Sequence, residues 1–302
     1  MRRLKRKRRS KIYVISSFTE DYIGGDPAHR RIGGPSLYGG YTLHVLGSDF
    51  KIITRPSRSI LEEIYREYSF LSERIVYKDL CEKHFVFKHE YTSSRRVSYL
   101  LDVGCEIDFS IEDLDRDAWI IASPVYKEIS IKLVRSLIER EFAVALDIQG
   151  LARVRLENGL VMNRLDPGVL RDLGSLDILH GSLEEFLSLG SSPREVIEEI
   201  SRKIDPEILI VSLGRGGSYA YIRDRGLYRI YAYKNGVNGD ETGCGDILLA
   251  SIVALYDPVD PLLSIIKASL VAGLRVERGF PFELDKDYLN RSINYIRYEK
   301  IS

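Results

Sequence analysis

The sequence predicts an α/β fold with a mainly parallel central sheet, helices on both of its faces, and a β-hairpin between its units. Three observations carry this. Apolar strand-like runs alternate with helix-like segments over residues 118–140, 143–153 and 176–185, the pattern of a parallel sheet covered on both sides. Residues 84–101 alternate in polarity, turn, and alternate again, as a hairpin does. A glycine-rich turn, residues 239–246, runs straight into an apolar stretch, residues 247–256, which reads as a buried helix.

The chain has 302 residues, is 44% hydrophobic and 29% charged, and has a formal net charge of zero. That length supports a sizeable core. The charge is uneven: residues 1–11 carry eight positive charges and no negative one, so the rest sums to about minus eight by subtraction. Residues 1–10 read as a solvated basic arm, or as a contact for nucleic acid or another acidic surface. The arm has no aromatic residue for base stacking, which weakens the nucleic-acid reading. No internal repeat divides residues 11–302, which read as one domain. No apolar stretch reaches the roughly 18 residues of a membrane span. Three cysteines, Cys81, Cys105 and Cys244, form no paired framework, so a reducing cytoplasm is expected. Gln149 is the only glutamine and there are two methionines, a composition that points to a thermophile.

Residues 11–16 form a buried strand whose polar continuation, Ser16 to Asp21, lies where open α/β sheets meet ligands. Gly33 and Gly34 allow a close backbone approach or a bend, and a helix-like segment through Leu46 follows. Residues 50–54 are a second strand. A helix then shows Ile60, Leu61, Ile64, Tyr65 and Tyr68 on one face. The hairpin turns at Thr92, Ser93 and Ser94. A metal cluster at Cys81, His84 and His89 is not expected, because no second pair has ligand spacing. Asp147, Gln149 and Arg153 follow the strand at 143–147. Arg153 offers either a guanidinium fork to a phosphoryl oxygen or an ordinary surface charge. Ser182 with Glu185 three residues on reads as a helix capping box. Residues 207–213 are another strand, ending in Gly214, Gly216 and Gly217, and no Walker-type lysine follows. Residues 261–278 are helical, with Ala268, Ser269, Ala272 and Gly273 forming a stripe of small side chains. Residues 286–302 are charged and are expected to end the chain at the surface.

The chemistry concentrates at 240–246. A helix N-terminus behind Gly243, Cys244 and Gly245 is an anion site. An aspartate there repels the anion, so the role that suits Asp246 is general base, taking a proton from a hydroxyl that attacks a phosphoryl group. The alternative is a plain turn capping a buried helix.

Asp240-Glu241-Thr242-Gly243-Cys244-Gly245-Asp246 resembles the D-x-T-G-A-G-D signature of ribokinase-like, or PfkB, carbohydrate kinases, with Cys244 in place of alanine. Gly33-Gly34-Pro35 with the aromatic Tyr38, and Leu146-Asp147-Ile148-Gln149-Gly150 followed by Arg153, resemble the myo-inositol-kinase-like branch. The resemblance extends from about residue 11 to 279. It implies a three-layer sandwich with lid strands at about 18–32 and 84–101. It implies ATP and Mg2+ and a small polyhydroxy acceptor, most simply a cyclitol such as myo-inositol, with a nucleoside as the rival. Asp246, with the Gly243–Gly245 backbone, is then catalytic. Asp21, Gly33, Gly34, Tyr38, Gln149 and Arg153 would meet the acceptor. Ser182, Glu185, Gly214, Gly216, Gly217, Asp240, Thr242 and Ser269 would meet the nucleotide, and Glu185 the magnesium through water. A homodimer through the lid would accompany this. A non-catalytic, nucleic-acid-associated protein using the basic arm is the reading of another class.

Overall fold

The computed structural model describes residues 11–24, 29–91, 96–233 and 240–302. The basic arm, Gly25, Gly239 and the expected hairpin turn at 92–94 lie outside them.

The chain opens with β1 (Lys11–Ile15), β2 (Thr19–Ile23) and β3 (Arg30–Gly33), followed by α1 (Pro35–Val45), β4 (Asp49–Ile53), α2 (Arg58–Glu67), α3 (Ser69–Ser72) and β5 (Ile75–Val76). The hairpin β6 (Phe85–Tyr91) and β7 (Arg96–Asp102) comes next, and then β8 (Trp119–Ala122), α4 (Ile131–Glu139), β9 (Ala143–Asp147), α5 (Gln149–Ala152), β10 (Arg153–Arg155) and β11 (Val161–Asn163). After α6 (Pro167–Leu173) come β12 (Ile178–Ser182), α7 (Leu183–Phe186), α8 (Pro193–Lys203) and the strands β13 (Ile208–Ser212), β14 (Ser218–Ile222) and β15 (Gly226–Ile230). The last elements are α9 (Cys244–Ala254), α10 (Pro261–Arg278), α11 (Lys286–Arg291) and β16 (Tyr298–Lys300).

Ten strands form the large sheet in the order β16-β15-β14-β13-β12-β9-β8-β1-β4-β5. From β13 to β5 neighbours pair in parallel; β14, β15 and β16 add on antiparallel. The central parallel strands β8, β9 and β13 are buried on both faces and read as near-continuous apolar runs, whereas β14 alternates. Each face carries its own core. Leu37, Ile64, Ile247, Leu249 and Leu270 from α1, α2, α9 and α10 pack on one side, and Val134, Leu137, Leu170 and Ile200 from α4, α6 and α8 on the other. Hydroxyls and carboxylates start the helices: Ser57 accepts from the Ile60 N–H, Ser130 from Leu133, and Asp260 from Leu263. The small sheet has the order β3-β2-β6-β7, so the strands expected at 18–32 and 84–101 do assemble together.

Several expectations are corrected. Cys81 and Cys105 form a disulfide, with Cα atoms 5.8 Å apart. The two cysteines flank β6 and β7, and an antiparallel pair returns its ends to the same place, so a separation of 24 residues hides a spatial contact. Gly39 and Gly40 lie inside α1 rather than before it, and a side chain on Gly40 would strike Ile52. Tyr65 is exposed, so the buried face of α2 is narrower than its pattern. The strand expected at 176–179 begins two residues later and runs to Ser182. The C-terminal segment supplies an edge strand, β16, to the large sheet.

Candidate active site

The C-terminal ends of β9, β12 and β13, the start of α9 and one face of the small sheet line a cavity of about 1450 Å³. Its floor is the start of α9. The helix begins at Cys244, earlier than the apolar run alone implied, so Asp246 falls in its first turn. Gly243 precedes it in a left-handed conformation, φ 82°. The Tyr38 ring lies where a Gly243 side chain would stand, its Cγ 2.4 Å from that position, so both backbone shape and space require glycine. The Cys244 N–H donates to the Glu241 carbonyl, which closes the turn and removes that amide from the expected anion-facing set. The Cys244 thiol packs 3.6 Å from the Ala272 carbonyl, and burial pushes its pKa up to about 12.

Asp246 takes a hydrogen bond from Gln149 Nε2 at 3.2 Å. Burial first, then the charge of Asp147, push its pKa up to about 8; His180 and Arg153 oppose the shift. Arg153 is no surface charge: its guanidinium donates to the Val125 carbonyl and to Gln149 Oε1 at 2.8 and 2.9 Å and stacks over Phe87. Gln149, Arg153 and Asp246 therefore form one connected wall.

Asp21 faces the cavity from β2. Its carboxylate accepts from Thr19 Oγ1 at 2.9 Å and lies 3.9 Å from His89 Nε2. Gly33 does not line the cavity, but a Cβ there would stand 2.2 Å from Asp21 Oδ2, so Gly33 makes room for that carboxylate. Gly34 and Tyr38 do line it. Tyr38 is buried, edge-on to Phe280 at 4.9 Å, and burial raises its phenol pKa.

On the opposite side, Ser182 and Glu185 close the expected capping box: the Ser182 N–H donates to Glu185 Oε2 at 2.7 Å and the Glu185 N–H to Ser182 Oγ at 3.3 Å. Burial and the charge of Asp147 raise the Glu185 pKa. Gly214, Gly217 and Ser269 line the same end, whereas Gly216 faces away and gives its carbonyl to Arg229. Tyr233 packs against Gly273, so the small-residue stripe of α10 is partly filled by an aromatic ring. Among the described residues no group of three or more His, Cys, Asp or Glu is arranged to hold a metal ion directly.

Asp240 lines the cavity and is at the same time tied into the loop. It accepts from the Thr242 N–H and hydroxyl at 2.9 and 2.7 Å, from Arg31 of β3 at 2.5 Å and from Arg275 of α10 at 3.1 Å. These donors hold its pKa well below the carboxylate range. It is the anchor of the loop. Arg31, Arg275 and Phe280 were not singled out from the sequence, nor was His180, the buried partner of Asp147. Only the register of β9 against β12 brings that pair together.

This architecture is the ribokinase-like fold. No family model matches the chain, and no curated protein matches it by sequence. Solved structures match it over almost its whole length. A pyrophosphate-dependent kinase of the ribokinase family, solved with a pyrophosphate analogue and myo-inositol, is 22% identical, with a TM-score of 0.69 over 92% of this chain and 99% of that one. Arabidopsis thaliana ribokinase, complexed with ribose and ATP, is 15% identical with a TM-score of 0.70 over 94% and 98%. A Burkholderia thailandensis nucleoside kinase in complex with inosine is 16% identical with a TM-score of 0.68 over 93% and 97%. At these identities, what is shared is the fold.

Proposed function

We propose that this protein is a phosphotransferase that moves a phosphoryl group from ATP to one hydroxyl of a small polyhydroxy compound, a cyclitol such as myo-inositol first among them. The observation that carries the reading is Asp246, a carboxylate raised to about 8 in the first turn of α9, sharing one cavity with the buried Asp21. Asp21 accepts hydrogen bonds from acceptor hydroxyls. Asp246 takes the proton of the reacting hydroxyl as its oxygen attacks the phosphorus and the bond to the leaving oxygen breaks. The N-terminal turn of α9 meets the charge that gathers on the transferred group. Gln149 and Arg153 hold Asp246 in place, and the small sheet excludes water from the transfer.

The donor would lie along Gly214, Gly217 and Ser269. Bound Mg2+ would neutralise phosphate charge; Glu185 lines the cavity as an outer carboxylate of the kind such an ion uses through water. The donor could also be smaller than a nucleotide, because Tyr233 occupies part of the small-residue stripe and three of the matching solved structures are of pyrophosphate-dependent kinases. Exposed Leu101, Val103 and Met162 give a second copy an apolar face beside the small sheet. A cytoplasmic enzyme of a thermophile fits both the composition and the disulfide, since intracellular proteins of hyperthermophiles carry disulfides. No described helix is long and apolar enough to cross a membrane.

The test is phosphate transfer at elevated temperature to cyclitols, pentoses, hexoses and nucleosides, with Mg–ATP and pyrophosphate supplied separately. Fastest turnover with myo-inositol supports the full reading. A nucleoside as best acceptor removes the cyclitol, and activity with pyrophosphate alone removes ATP. With no transfer at all the enzyme reading falls, and salt-dependent nucleic-acid binding by the basic arm becomes the measurement to make.

A further inference from the structure

His180 and Asp147 stand opposite each other on neighbouring parallel strands, β12 and β9, at the edge of the cavity. Both are buried, at 3% and 2% exposure. The His180 Nδ1 lies 2.8 Å from Asp147 Oδ2, and Asp147 Oδ1 accepts the Gln149 N–H at 2.9 Å, so the carboxylate is fixed through both oxygens. A ring held through Nδ1–H has its other nitrogen to offer. Nε2 is buried and has no hydrogen-bond partner. A buried polar atom in that state is costly, and native proteins keep few of them. The ring edge meets the loop: Cε1 lies 3.1 Å from where a Gly245 side chain would stand, one residue before Asp246.

A histidine satisfied by an aspartate can be an ordinary core pair. Three features separate this one. It sits at the C-terminal edge of the sheet rather than in its middle, its free nitrogen is unpartnered, and the loop residue against it is a glycine.

We propose that His180, fixed by Asp147, is a positioning residue of the transfer site: a buried cation beneath the loop that favours the ionised form of Asp246. This rests on the phosphotransferase reading. The charges facing the ring are Asp147 on β9, Glu185 on α7 and Asp246 on α9, with Arg153 the neighbouring cation. Burial alone would neutralise the imidazole; the surrounding carboxylates outweigh it and raise its pKa. Nε2 is shielded from the cavity, so His180 acts through its field on Asp246 and not by touching a substrate.

The experiment is the pH profile of kcat/KM for the wild type and His180→Gln. The His180 charge opposes the rise of the Asp246 pKa, and a neighbouring opposite charge is worth about 1–3 pH units to a carboxylate, so its loss should move the ascending limb up by about one unit. The variant would then be about tenfold slower below the limb and within about threefold of wild type above it, with an unchanged acceptor KM. A rate lowered equally at every pH would make His180 a packing residue and overturn the proposal. NMR supplies the readout without turnover: the wild-type ring should carry protons on both nitrogens at pH 7, and the Asp246 carboxyl carbon should titrate higher in His180→Gln. A neutral ring at pH 7 overturns the proposal even if the variant does not fold. Wild type that transfers no phosphoryl group but shows both NMR signatures would remove the phosphotransferase reading and leave the pairing intact.

Discussion

Replacing Asp246 by asparagine removes the proposed base and almost nothing else. The side chain keeps its size, and an amide oxygen can still accept from Gln149 Nε2, 3.2 Å away in the wild type. Burial and Asp147 put the wild-type carboxyl at about 8, and only the ionised form takes a proton. The kcat/KM of the wild type should therefore rise with pH, tenfold per unit, and level off above about pH 9. At pH 6, two units below the midpoint, about one molecule in a hundred is ionised and the rate should be about a hundredfold below its plateau. In Asp246→Asn the plateau should fall at least about a hundredfold, the usual worth of a positioned base, and the profile should become flat. Donor affinity, measured by calorimetry, should hold or improve, since a negative charge beside the anion site is gone. The assay is donor turnover from pH 6 to 10 with a saturating acceptor and a matched kcat/KM series. A variant within tenfold of wild type at pH 9.5, or one that keeps the ascending limb, would refute Asp246 as the base.

The remaining expectations are briefer. Asp21→Ala should raise the acceptor KM about tenfold or more and leave donor KM unchanged; an unchanged acceptor KM removes Asp21 from the acceptor site. Gly33→Ala should copy that phenotype from outside the cavity, because its Cβ would displace the Asp21 carboxylate, and normal acceptor kinetics would show that the carboxylate moves without cost. Gly243→Ala adds about 1–2 kcal/mol of left-handed backbone strain to the collision with Tyr38, so Tm should drop by about 4 °C or more with loss of turnover; an unchanged Tm contradicts this. Replacing Cys81 and Cys105 together by alanine opens a loop of 24 residues and should cost about 3 kcal/mol, read as a lower Tm that added reductant does not change further.

The sequence shows most plainly what is local. The 240–246 turn, the capping box at Ser182 and Glu185, and the helix at 261–278 each declare themselves within a few neighbouring residues. What it hides depends on register or on distance along the chain. The strand at 178–182 looked shorter because its last residues, His180 and Ser182, are polar; they are polar because that end of the sheet lines the cavity. Asp240 was legible as part of the loop motif, but its ion-pair partners were not, because Arg31 and Arg275 come from 209 residues upstream and 35 downstream. Tyr38 lines the cavity, and its ring also shapes the loop at Gly243, a contact between residues far apart in the chain. The β16 strand is exposed along its length and carries no apolar pattern.

The Cys81–Cys105 bond has a mechanical consequence. It ties the two legs of the β6–β7 hairpin together at their base, so neither leg can shift without the other. Because β6 is also paired along its length with β2, the Asp21 strand belongs to the same rigid piece. Any displacement of the hairpin is therefore passed on to Asp21. If Asp21 grips the acceptor as proposed, loosening the small sheet and loosening that grip are one movement.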